Sequence, residues 1–197
     1  QVDPERGAIR FWYRPDYGSD TGPGKVATLL TLVTANGKSD ATWWSLVVTP
    51  DGREMHLLCQ TGGGAESCMK VEINWTAGGW HLLTLGFTPT NSAIFVDDRQ
   101  VAAGDGLPTV PKEAWPFTSL VLGSTLSGAD SAMGQIEDLG TFTGRKRLLM
   151  IAGHEFGLME ASDVASYYSR LSVVAALGPM TVEEAAALAK QQAEMKA

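Results

Sequence analysis

The feature that most limits what this chain can fold into is a succession of short apolar-alternating runs broken by turn residues at near-regular spacing. "GAIRFWYRP" sets Ile9, Phe11 and Tyr13 against Ala8, Arg10 and Trp12 before Pro15 stops it. "KVATLLTLVT" follows a Gly/Pro turn and ends at "ANGKSD", with its Asn36-Gly37 dipeptide. "TWWSLVVTPDGREMHLLCQT" reads as a hairpin about "TPDG", where Pro50 presets φ and Gly52 is free to take a positive φ. "CMKVEINW", the pair "GGWHLLTLGF" and "AIFVDDRQVA" across "TPTNS", then "SLVLGS" and "GQIEDLGTF" complete the set. Many short strands joined by tight turns predict a mainly β protein, an antiparallel β-sandwich.

The last third changes character. "ASDVASYYSRL" places Val164, Tyr167, Tyr168 and Leu171 at helical spacing, with Ser162 as an N-cap. Thr181 and Glu184 form a capping box that opens the Ala-rich "TVEEAAALAKQQAEMKA". The expected organisation is a sandwich over 1–178 followed by a helix or linker over 179–197.

Length and charge narrow the function. A chain of 197 residues, 44% hydrophobic, suits one domain, or one domain with an appendage. A net charge of −7 repels phosphate backbones, so no nucleic-acid partner is expected. No apolar run approaches the roughly 20 residues that span a bilayer, so no direct membrane insertion is expected. The chain opens on a polar segment and reads as mature, trimmed or a fragment. Cys59 and Cys68 flank a Gly-rich turn between two strands, a spacing that predicts a disulfide contributing about 2–3 kcal/mol. It suits an extracellular, secreted or cell-surface setting. Asn74 opens an N-W-T glycosylation triplet.

Chemical motifs are scarce. "GHEFGL" begins like a zinc-protease helix, with His154 and Glu155, but the second ligand position holds Leu158, so the zinc reading fails. Glu137 and Asp138 are adjacent and point to opposite faces of a strand, which is not the alternate-position carboxylate pair of a glycosidase. "TGGGAE" lacks the Lys-Ser/Thr of a phosphate loop. No enzyme is expected. The aromatic residues are the better lead: Trp43, Trp44, Trp75 and Trp115 are candidates to stack on sugars or anchor a protein ligand, with core packing the competing role for each.

Four stretches, in order, carry a resemblance. "GAIRFWYRP" resembles G-x-I-x-F-W-F-K-P; "WHLLTLGFTPTNSAIFVDDRQVA" resembles a W-H hairpin running into a Y-V-D-G turn; "GQIEDLGTF" and "LMEASDVASYY" resemble a late strand and a closing L-S-x-x-E-I-x-x-Y segment. Together they resemble the concanavalin A-like, laminin-G-type jelly rolls over roughly residues 7–170. The resemblance implies a jelly roll with a C-terminal helical segment and an extracellular binding or adhesion module for carbohydrate or protein. The alternatives are a structural subunit of a cell-surface assembly and, further off, a glycoside hydrolase. Calcium is a cofactor the resemblance allows, with Asp97, Asp98, Glu137 and Asp138 as weak ligand candidates. Two departures stand out. Only "QVDPER" precedes the first strand, so a sheet edge beside residues 8–14 is expected to lie open to another strand, in a larger protein or oligomeric assembly. An atypical insertion, about 144–157, holds His154 and Glu155.

Overall fold

In the computed structural model, residues 4–35, 40–97 and 99–142 are described. The expected C-terminal helix, the insertion at 144–157 with its His154, the 178/179 boundary and Asp98 lie outside them.

Among the described residues ten strands follow one another: β1 (Gly7–Pro15), β2 (Ala27–Ala35), β3 (Asp40–Val48), β4 (Glu54–Thr61), β5 (Gly64–Glu72), β6 (His81–Phe87), β7 (Asn91–Val96), β8 (Arg99–Asp105), β9 (Thr118–Leu122) and β10 (Gly134–Phe142), with a 3₁₀ turn at Lys112–Phe117. They form two five-stranded antiparallel sheets, ordered β10-β1-β6-β7-β8 and β5-β4-β3-β2-β9. The sheets stack as a sandwich. The alternation read from the sequence supplies the core: Ile9, Phe11 and Tyr13 of β1 and Leu83, Leu85 and Phe87 of β6 meet Trp44, Leu46 and Val48 of β3 and Leu57 of β4. At the centre Trp44 and Phe87 lie 5.7 Å apart in a tilted ring contact, an arrangement aromatic quadrupoles favour.

Local chemistry explains the turns. Gly52 takes φ 70° and its N–H donates to the Thr49 carbonyl, closing the "TPDG" turn as expected. Val96 pairs with Arg99 across a two-residue connection in which Asp97 adopts φ 49°, a conformation that Asp tolerates better than most residues. Cys59 on β4 and Cys68 on β5 are joined as a disulfide, Cα–Cα 6.0 Å. The register slips between Leu57 and Leu58, and Cys68 is the extra residue of that bulge.

One expectation is corrected. The edge beside residues 8–14 is not open: β1 is flanked by β6 on one side and by β10 on the other, from Ala8 opposite Phe142 to Pro15 opposite Gly134. The late strand returns to pair with the first, a long-range contact that "QVDPER" gives no hint of. Midway along it Asp138 sits in a bulge with φ 51°.

Candidate functional site

The groove forms where β5 and β8, the edge strands of the two sheets, come together. Its first half, about 390 Å³, is lined by Val71, Glu72, Ile73, Asn74 and Trp75 on one side and by His81, Val96, Asp97, Arg99 and Val101 on the other. A second half, about 400 Å³, continues past the same Glu72, Ile73 and Asn74 to Ser19, Asp51, Arg53 and Glu54. Residues 72–74 thus line both halves, the first of mixed apolar and polar lining and the second mostly polar.

Each half is held by backbone geometry. In the first, β6 and the β7–β8 turn fix the pair His81–Asp97: His81 Nδ1 lies 2.9 Å from Asp97 Oδ2, while the Leu82 N–H donates to Asp97 Oδ1 at 2.8 Å. Nδ1 is therefore the protonated nitrogen facing a carboxylate. Trp75 stacks behind the imidazole, with centroids 4.9 Å apart and planes 19° apart, and meets Tyr13 edge-on at 5.7 Å. Trp75 is in turn tied to the 16–24 loop: Ser19 N–H donates to its carbonyl and its own N–H donates to Ser19 Oγ, both at 2.9 Å. In the second half, Asp51 Oδ1 accepts from the Thr49 hydroxyl at 2.6 Å and from the Arg53 N–H at 3.2 Å. These bonds, the Thr49 hydroxyl foremost, hold the Asp51 carboxyl below its usual range. The loop that carries them is pressed against Gly22: a Cβ on Gly22 would lie 2.4 Å from the Asp51 carbonyl carbon, and one on Gly52 2.7 Å from Gly22 Cα. Only glycine fits either place. Arg99 and Arg53 stand exposed at the rims of their halves.

The four tryptophans singled out in the sequence are not brought together. Trp44, at 1% exposure, is core. Its neighbour Trp43 packs against that core as well, because the register slips between Leu32 and Val33 and makes Trp43 the extra residue of a bulge, so simple alternation fails there. The Trp43 indole N–H donates to Thr34 Oγ1 at 2.8 Å; Thr34 meets Thr118 at 3.1 Å, and Thr118 donates to the Ala114 carbonyl at 2.9 Å. Trp115 donates to the Val110 carbonyl at 2.9 Å and leans on the core. Trp75 alone of the four lines the groove, and at 5% exposure it acts as a backing wall rather than an open platform.

The calcium candidates are also separated. Glu137, Trp12 and Leu82 share one row across β10, β1 and β6, and Asp97 lies beside Leu82. Three strand spacings put Asp97 roughly 14 Å from Glu137, too far for a shared ion with ligands at about 2.3–2.6 Å. Among the described residues no three His, Cys, Asp or Glu side chains converge on one point.

Of the groove residues only Trp75, Asp97 and Asn74, the last as the start of a glycosylation triplet, were singled out in the sequence. A signal did exist for His81: the hairpin register sets the residue before Leu82 beside the turn that follows Val96. For Arg53 and Arg99 there was none, since topology alone brings them to the groove.

No protein-family model matches the chain, and no curated protein matches it. Solved structures do. One is the CBM40 of the Ruminococcus gnavus IT-sialidase, 16% identical, with a TM-score of 0.51 over 71% of this chain and 76% of that one. Another is a mutant of Trypanosoma rangeli sialidase displaying trans-sialidase activity, 15% identical, with a TM-score of 0.54 over 90% of this chain but 24% of the sialidase. At such identities the likeness establishes the fold: a β-sandwich of the jelly-roll, concanavalin-like kind.

Proposed function

We propose that the protein is a non-catalytic carbohydrate-binding module, its ligand lying in the groove between the end of β5 and the β7–β8 turn. The observation that carries this reading is the shared wall at Glu72–Asn74, with the fixed His81–Asp97 pair and the exposed Arg99 facing it across one cleft. Sugars present rows of hydroxyls, and a rigid set of amide, carboxylate and guanidinium groups around a partly apolar floor suits them. The likeness to a sialidase CBM40 supports the ligand class. Both Asp97 oxygens are engaged within the protein, which favours a positioning role over acid–base work. Within the same proposal stand kinship to the laminin-G-type branch and an extracellular, adhesive setting, supported by the disulfide.

The test is a glycan array followed by calorimetry on the intact chain, with Asn74→Ala and Arg99→Ala alongside. One sugar class should bind, and each substitution should weaken it about tenfold, the worth of a charge-assisted hydrogen bond. A folded chain that binds no glycan, or one that cleaves the glycans it meets, overturns the proposal.

A further inference from the structure

Asn74 opens the one N-x-S/T triplet in the chain, Asn74-Trp75-Thr76, and sugar binding in the groove gives no reason for it. Oligosaccharide transfer to such an asparagine requires its amide and the hydroxyl two residues on to stand free at the surface, on irregular backbone. The fold meets each requirement. The triplet lies just past the end of β5, in the stretch before His81 that belongs to no strand. Its backbone is held from the inner side: the Ile73 N–H donates to the Arg53 carbonyl at 2.9 Å, and Trp75 exchanges two bonds with Ser19. Ile73 and Trp75 are thereby turned inwards, to 9% and 5% exposure, and alternation leaves Asn74 and Thr76 exposed on the outside. Among the described residues no hydrogen bond engages the Asn74 amide or the Thr76 hydroxyl. Glu72, two places before Asn74, is exposed as well. An acid in that place is the additional demand of bacterial transferases, so residues 72–76 satisfy the stricter acceptor rule along with the simpler one. The Cys59–Cys68 disulfide suits an oxidising compartment outside the cytosol, and it is in such compartments that lipid-linked oligosaccharides are handed to protein.

We propose that Asn74 is the acceptor of an N-linked oligosaccharide, and that the glycan, once attached, closes the groove. In the transfer, the Asn74 amide nitrogen attacks the anomeric carbon of an oligosaccharide carried on a lipid pyrophosphate. A C–N bond forms and the C–O bond to the pyrophosphate breaks. The lipid pyrophosphate leaves, the amide gives up one proton to a base of the transferase, and nothing is oxidised or reduced. The effect on the groove follows from where the glycan is rooted. Asn74 lines both halves, so a sugar chain on its amide stands in the mouth of each and removes that amide as a ligand contact. The bare chain binds its ligand and the modified chain does not. Closure of the groove rests on the sugar-binding reading; the acceptor role of Asn74 does not.

The test exports the full chain to the periplasm of a bacterial host, with and without a co-expressed oligosaccharyltransferase and its lipid-linked oligosaccharide. The intact mass should rise by one oligosaccharide only where the transferase is present, and peptide mapping should place the gain on Asn74. Thr76→Ala should abolish the gain, Thr76→Ser should keep it, and Glu72→Gln should abolish it with this transferase. A chain that stays unmodified while the transferase works on a control protein overturns the acceptor role, as does modification that survives Thr76→Ala. Calorimetry then sets the modified chain against the same chain from the host without the transferase, both with the sugar identified on the array. Modification should weaken binding at least about tenfold. Equal affinities overturn the closure of the groove and leave the acceptor role standing. A bare chain that binds no sugar overturns the closure together with the sugar-binding reading, and the mass alone then decides whether Asn74 is the acceptor.

Discussion

The space between the two sheets and the groove at their edge are built from the same strands but obey different rules. Between the sheets, side chains are chosen for bulk: Trp44, Leu85 and Phe87 are almost wholly removed from water, and their partners are other apolar groups. Around the groove, side chains are chosen for direction: His81 is held by the Asp97 carboxylate, Asp97 by the Leu82 N–H and Asp51 by the Thr49 hydroxyl. The first region is tolerant of sequence but not of lost volume; the second is tolerant of lost volume but not of a moved atom. Substitutions should therefore separate stability from binding.

The largest effect belongs to the centre. Phe87→Ala deletes the ring that meets Trp44 and leaves a cavity between the sheets, and should cost roughly 3–5 kcal/mol in denaturant unfolding. A loss below about 0.5 kcal/mol, the scale of a surface change, would mean that the pairing of β6 against β3 is misread. Gly52→Ala probes the seam where core rules give way to groove rules. The left-handed φ and the approach to Gly22 Cα leave no room for a Cβ, so roughly 1–3 kcal/mol should be lost.

Tyr13 lies on the core side but carries a polar handle. Its hydroxyl donates to the Ala132 carbonyl at 2.5 Å and lies 3.2 Å from that of Tyr17. Burial, with the Tyr17 phenol adding to it, pushes the Tyr13 phenol far above its ordinary range, and burial raises Tyr17 as well. A folded-state pKa raised above the unfolded one gives stability that is complete below about pH 10 and drains away as the pH climbs past it. Tyr13→Phe should cost about 1–2 kcal/mol at neutral pH through the stranded carbonyl, and should flatten the alkaline loss. Parallel melting curves for the two proteins above pH 10 would show no such flattening if the phenol is not the titrating group.

The contrast also explains what could be read in advance. Strand positions, the "TPDG" turn and the facing sets on β1 and β6 follow from alternation and turn chemistry within a few residues of chain, and the structure keeps them. The Cys59–Cys68 link was legible for the same reason: its two halves sit on one hairpin. The return of β10 to β1 was not legible, because nothing local in "QVDPER" or "GQIEDLGTF" encodes a partner more than a hundred residues away. Bulges defeated the reading of the tryptophans: one extra residue at Trp43 sends two neighbouring rings to the same side. The groove as a whole fails both local tests: residues 81, 97 and 99 belong to one sheet and 53 and 74 flank strands of the other, so the two sets meet only once the sheets have stacked.

Arg99→Ala should have the smallest effect on stability and the most selective one on function. The side chain starts β8, an edge strand whose residues are largely exposed, and stands at the rim of the first half of the groove. No large apolar surface is uncovered by its removal, so unfolding free energy should change by less than about 0.5 kcal/mol. Its guanidinium is the cation placed to meet an acceptor lying against Glu72 and Asn74, so affinity for the sugar identified on the array should drop about tenfold. Arg99→Lys should restore only part of this, because an ammonium keeps the charge but loses the two-pronged geometry. Calorimetric titrations of the three proteins, paired with their unfolding curves, decide the matter. Equal affinities across the set would remove Arg99 from the ligand site and shift attention to the half of the groove around Arg53.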